Sequence, residues 1–210
     1  MILQTLKQHL LPLNCAFCGV RCERHEFGVC VHCLEDMPWR EHLITTEETP
    51  IDSSIVPFQY AFPVDAALKA LKFRRRLDYV PIFSEILWRA SRVQLSNVDA
   101  LLPVPLHWRR HTMRGFNQAI ELSRLLSNRS GLPLLTNFAR TRATPSQSGL
   151  TAQARRHNLQ QAFSVRGGCS AQHVLIVDDV ITTGATSREL ARAVVASGAS
   201  TVSVLAIART

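Results

Sequence analysis

Apolar and polar residues follow two distinct rhythms along this chain. The first is the unbroken apolar run. Residues 174–177 read VLIV, and further strands are expected at 99–106, which ends in Pro-Val-Pro, and at 162–165 and 201–208. Such runs are the pattern of strands, and the longest-buried of them, 174–177, reads as parallel-type. Residues 55–62 predict a strand or hairpin, and 132–135 a short strand. The second rhythm places apolar residues three and four apart, and it predicts helices over 65–73, 81–93, 116–126 and 185–196. Strands interleaved with helices predict an α/β fold with a doubly wound, mostly parallel sheet. Residues 1–15 are apolar but interrupted by Gln4, Lys7, Gln8 and His9. They lack a clean h-region and a small-residue cleavage site, so a short amphipathic helix is expected there instead of a signal peptide. Residues 41–50 are polar and rich in Thr and Glu, which reads as a linker. The expected organisation is a small module over 1–45 and a larger domain over 51–210.

The 210 residues suffice for one α/β domain plus that module. No run of eighteen apolar residues occurs, so no transmembrane helix is expected, and a cytoplasmic location follows as the expectation. The formal charge is +8, and all 24 basic residues except Lys7, Lys69 and Lys72 are arginines. Arginine's planar fork matches phosphate bidentately, which points to nucleic acid or a pyrophosphate. A basic surface that serves only solubility is the other reading.

The cysteines are clustered. Five of the six lie between Cys15 and Cys33, with Cys169 apart. Cys15-x-x-Cys18 and Cys30-x-x-Cys33 form two short pairs, a spacing that closes tetrahedrally around one structural Zn²⁺. Disulfides are the rival reading and require an oxidising compartment. Cys22, His25 and His32 make no second paired knuckle and read as bystanders. Four thiolates leave no open coordination position, so the metal is expected to be structural.

The strongest chemical signal is residues 174–186, VLIVDDVITTGAT. Asp178 and Asp179 follow the apolar run, at the carboxyl end of a strand, where open α/β sheets bind ligands. Two adjacent carboxylates can accept hydrogen bonds from the vicinal hydroxyls of a ribose. Thr182, Thr183, Gly184, Ala185 and Thr186 then supply backbone N–H groups and hydroxyls at a helix start, which is an anion cradle for a 5-phosphate. This segment resembles the signature of the type I phosphoribosyltransferases, which bind phosphoribosyl pyrophosphate (PRPP). Two further segments are rich in polar groups. His107, Arg109, Arg110, His111 and Arg114 precede a helix start at 116, forming either a second anion site or a solvated loop capped by Asn117. Residues 140–163 are long and polar, and read as a lid or as a mobile surface loop. Arg140, Arg142, Gln147, Arg155 and Asn158 within them are placed to close over a charged ligand.

Together these pieces resemble the ComF/GntX family over nearly the whole chain. The resemblance is carried by the four cysteines, by PVPL and RGFNQ around Val104 and Arg114, by Arg142 with Thr144, Gln147 and Leu150, by Arg155 with Asn158, and by VDDVITTGAT from Val177. Residues 69–76 also resemble the family's basic helix end. The resemblance implies a zinc module joined to a type I phosphoribosyltransferase-like domain. It implies PRPP or a related ribose 5-phosphate bound with Mg²⁺, with Arg114, Arg142, Gln147 and Arg155 as pyrophosphate or lid residues. It also implies an association with natural competence and the use of external DNA. Residues 51–98 are available for a base-selecting hood, and no motif in them names an acceptor. Two functions stay open: a phosphoribosyltransferase, or a non-catalytic adaptor that docks DNA or a DNA-processing partner through its zinc module and basic face.

Overall fold

The computed structural model describes residues 14–21, 25–42, 44–46, 50–108, 112, 115–141 and 162–210. The four-cysteine region contains β1 (His25–Glu26), β2 (Val29–Cys30) and α1 (Val31–Glu35). Three short strands follow, β3 (Ile44–Thr46), β4 (Ser53–Ile55) and β5 (Phe58–Gln59), and then α2 (Val64–Arg74) and α3 (Tyr79–Ser91). The chain continues through β6 (Ala100–Pro103), α4 (Gln118–Ser130), β7 (Phe138–Arg140) and β8 (Phe163–Val165). It ends on β9 (His173–Ile181), α5 (Ala185–Ala196) and β10 (Thr201–Arg209).

The main sheet runs in the order β3-β4-β10-β9-β6, with β5 also pairing to β10. All its pairings are parallel except β3 with β4. The fold is therefore α/β with a mixed, mostly parallel sheet. β9 and β10 sit at its centre because their apolar runs tolerate burial on both faces. Leu175, Val177, Leu205 and Ile207 face one way, onto Leu68 and Leu71 of α2, Phe83 and Leu87 of α3, and Leu122 and Leu126 of α4. Val174, Ile176, Val202 and Val204 face the other way, onto Leu190, Ala191 and Val194 of α5. Helices thus cover both faces.

Several predicted elements take a different form. The stretch 41–50, read as a linker, contains β3, which adds an antiparallel edge to β4. Residues 55–62 form no hairpin; β4 and β5 both lie parallel to β10, at Ser203–Leu205 and at Ala208–Arg209. Residues 132–135 contribute a single bridge, Leu134 to Leu101. β9 continues four residues past the apolar run, because β10 extends far enough to pair with Asp178 and Val180. Asp178 and Asp179 therefore lie inside the strand and not just beyond it.

Candidate functional site

The first half of the cysteine site is a tight turn. The Gly19 N–H donates to the Cys15 carbonyl at 2.8 Å, and Gly19 holds a φ of 74°, which favours glycine. The second half is a hairpin, β1–β2, running straight into α1. Cys30 caps that helix, its Sγ accepting from the Cys33 N–H at 3.4 Å, while the Cys30 N–H donates to the Cys15 Sγ at 3.4 Å. The four Sγ atoms of Cys15, Cys18, Cys30 and Cys33 lie within 4.8 Å of one another, and Cys18 and Cys30 are 3.8 Å apart. A tetrahedron of Zn–S bonds near 2.3 Å places its sulfurs about 3.8 Å apart, so the donor set fits zinc. His32 is exposed and outside this cluster, whereas Cys22 and the His25 ring lie outside the described residues.

The thiols are not equivalent. Burial acts to raise Cys15, but the N–H groups of Cys30, Cys18 and Phe17 outweigh it and hold the thiol down at about 6. Burial pushes the Cys33 thiol up, as do its hydrogen bonds to Cys30, Cys18 and Cys15.

This region is packed onto the main core. Cys15, Val29, Cys30 and Met37 belong to the same buried cluster as Phe83 and Leu87. The Tyr79 hydroxyl donates to the Ala16 carbonyl at 3.0 Å, and the Phe17 ring meets the Tyr79 ring edge-on at 5.4 Å. Arg89 pairs with Glu26 and lies over the Phe27 ring at 4.8 Å.

The second site gathers at the carboxyl ends of β6 and β9. A cavity of about 140 Å³ is lined by Lys72, Asn117, Gln118, Arg140, Asp178, Asp179 and Thr186, among others. Asn117 builds its wall. Its side chain accepts from the Ala119 N–H as the cap of α4, and it donates to the Val104 carbonyl at 3.0 Å, tying helix to strand. Asp178 accepts from the Asp179 N–H at 2.8 Å. Burial pushes its carboxyl up to about 7, helped by the Asp179 carboxylate and opposed by Lys72 and Arg140. Asp179 is ion-paired with Lys72 at 2.9 Å.

The turn after β9 leads through Gly184 into α5. Gly184 is left-handed, with φ 69°, and α5 begins at Ala185, whose N–H donates to the Thr183 hydroxyl at 3.4 Å. The N–H groups of a helix's first turn have no partner within the helix, which makes such a start a place for an anion. The Arg188 guanidinium bends back to the Thr183 carbonyl. The left-handed φ favours glycine here, and a Cβ on Gly184 would come within 2.8 Å of that guanidinium, which would have to swing aside.

Of the residues read from sequence, Asp178, Asp179 and Thr186 line one cavity with Arg140, and Thr182, Thr183, Gly184 and Ala185 adjoin them in the turn. Arg114, Arg142, Gln147, Arg155 and Asn158 lie outside the described residues. His107 is buried, its ring 5.6 Å from that of Trp108. Two residues were missed. Lys72 belongs to the basic run 69–76, whose sequence says nothing of an acid on β9. Arg188 has no local signal beyond its place four residues after Gly184.

No family model matches the chain. It is similar to the DNA utilization protein YhgH of Escherichia coli O6:H1, 35% identical over 205 residues that span 93% of this chain and 84% of that protein. Competence protein F of Haemophilus influenzae is 31% identical, covering 91% of this chain and 89% of that protein. Competence protein ComFC of Bacillus subtilis is 26% identical, over 93% and 75% respectively. Among the described residues, no helix is long and apolar enough to cross a membrane. Relatives 31–35% identical over 84–89% of their own length, together with four cysteines gathered for a metal, show that the chain belongs to the ComF/GntX family.

Proposed function

We propose that this protein binds PRPP, or a closely related ribose 5-phosphate, in the cavity at the carboxyl end of β9, and that it serves the uptake or use of external DNA. The observation that carries the ligand reading is the convergence of Asp178, Asp179, Thr186 and Arg140 on one cavity beside the start of α5. The two carboxylates accept the ribose hydroxyls. The turn 182–186 holds the 5-phosphate through its N–H groups. Arg140, with Arg114, Arg142 and Arg155 from the sequence, neutralises the pyrophosphate, and Gln147 is the uncharged donor beside them. The Asp178 and Asp179 oxygens would suit Mg²⁺, which when bound would supply charge neutralisation for the anionic ligand. The type I phosphoribosyltransferase architecture and the division into 1–45 and 51–210 belong to the same proposal. The DNA role rests on the names of the relatives.

Calorimetry with PRPP and Mg²⁺ tests the ligand. Asp178→Asn combined with Asp179→Asn keeps side-chain size and removes the charge. Each lost hydrogen bond to a charged group costs about 1.5–3 kcal/mol, so affinity should fall a hundredfold or more. Wild-type affinity in a double variant with an unchanged circular dichroism spectrum would place the pocket elsewhere. Thr183→Val should weaken binding less, because the backbone donors remain. A second reading, a sensor or adaptor without turnover, is favoured by the closed four-thiolate centre, which suits docking and not chemistry. A screen for pyrophosphate release across bases and nucleotides separates the two.

A further inference from the structure

Lys72 is held in an unusual place for a lysine on a surface helix. The positions three and four residues away on α2 and just beyond it are Leu68, Lys69, Arg75 and Arg76. None is an acid, so the helix offers Lys72 no partner of its own. Lys69 behaves differently: it pairs with Asp65 one turn back, and its side chain is 56% exposed. Lys72 instead reaches across to β9. Its Nζ lies 2.9 Å from the Asp179 Oδ2, with the two side chains only 19% and 13% exposed. A pair this shielded interacts more strongly than one in open water. The described cavity wall then carries two carboxylates, Asp178 and Asp179, and two cations, Lys72 and Arg140. The Asp179 carboxylate is thus already met by a cation before any metal arrives.

We infer that Lys72 is the resident counter-ion of the acidic pair, and that it competes with a divalent cation for Asp179. The ammonium occupies one of the oxygens that a hard cation would take. Metal entry at Asp179 therefore requires Nζ to move away, and the anionic end of an incoming ligand is the group that would receive it. The metal dependence of the site is set by this displacement. The inference rests on the ribose-phosphate reading for the ligand's identity alone, since the competition itself is measured without ligand.

Mn²⁺ is the probe, titrated into the full-length zinc-loaded protein and followed by the electron paramagnetic resonance of the free ion. Lys72→Met should bind Mn²⁺ at least about tenfold more tightly than wild type, because a unit positive charge is removed from beside the site. Adding Asp179→Asn to Lys72→Met should abolish the gain. Lys72→Arg keeps the cation and should stay within about threefold of wild type. Equal Mn²⁺ affinity in wild type and Lys72→Met, both folded by circular dichroism and melting temperature, overturns the inference. So does a gain that survives Asp179→Asn. Should Lys72→Met not fold, Lys72→Gln carries the same comparison. A parallel PRPP titration keeps the two claims apart. Tighter Mn²⁺ binding by Lys72→Met with no PRPP binding by wild type overturns the ligand reading and leaves the counter-ion standing.

Discussion

Removing the metal should destabilise far more than the two cysteine knuckles. Cys30→Ser deletes one thiolate of the cluster, and it is the thiolate that also caps α1 and lies 3.8 Å from the Cys18 sulfur. Three contacts across to α3 depend on the knuckles keeping their shape. Val29 is 0% exposed, and burying a side chain of that kind contributes about 1.5–3 kcal/mol. The Tyr79 hydrogen bond to Ala16 contributes about 1 kcal/mol. The edge-on Phe17–Tyr79 pair adds about 0.5–1.5 kcal/mol. Together these amount to about 3–5 kcal/mol, which for a chain of this size lowers the melting temperature by roughly 10 °C. Scanning calorimetry of wild type, of wild type with a strong chelator, and of Cys30→Ser measures the shift, and metal analysis of each sample gives the zinc content. We expect about one zinc in wild type, little in Cys30→Ser, and matching losses of stability in the variant and the chelated protein. A zinc-free variant that melts within about 2 °C of wild type would refute the coupling between knuckles and core. A variant that keeps its full zinc would refute the ligand assignment.

Two further outcomes are expected. Asp178, raised to about 7 by burial and by Asp179, keeps in the folded chain a proton that the unfolded chain releases near pH 4. The folded state thus binds more protons between those values, so stability should fall as pH rises from about 4 through 7. Melting temperatures across that range should show a flatter profile for Asp178→Asn, and coincident profiles would count against the shift. If the basic surface contacts DNA, replacing Arg74, Arg75 and Arg76 should reduce the salt dependence of binding to single strands. Arg76 is already paired with Asp78 at 2.6 Å, so the reduction in log–log slope should come mainly from Arg74 and Arg75, at about 1.5 in total. An unchanged slope would exclude that cluster as the contact.

Local chemistry alone specified much of this protein. The VLIV run demanded burial on both faces, and it is the centre of the sheet. The helix expected over 185–196 matches α5 residue for residue, because Gly184 and the apolar spacing from Leu190 are both local signals. The paired Cys-x-x-Cys spacing set up two knuckles, each closed by hydrogen bonds a few residues long, while contacts across 12 to 15 residues, Ala16 N–H to the Gly28 carbonyl and Cys30 N–H to the Cys15 Sγ, bring the four sulfurs together. Other features depended on partners distant in the chain. The polar residues of β3 form a strand because β4 offers an unpaired edge, where the Thr45 and Ser54 hydroxyls meet at 2.8 Å. β9 runs on through two carboxylates because backbone pairing with β10 is indifferent to side-chain polarity. The strand Phe138–Arg140 exists only by pairing with Phe163–Val165. The Lys72–Asp179 pair joins residues more than a hundred positions apart; local spacing gives Lys69 its partner Asp65 and leaves Lys72 without one on its own helix, but does not name Asp179. Periodicity and spacing record what a residue needs from its neighbours in sequence. Which opposite charge a lysine meets across a cavity is decided by how helices pack on the sheet, and that is a property of the whole fold.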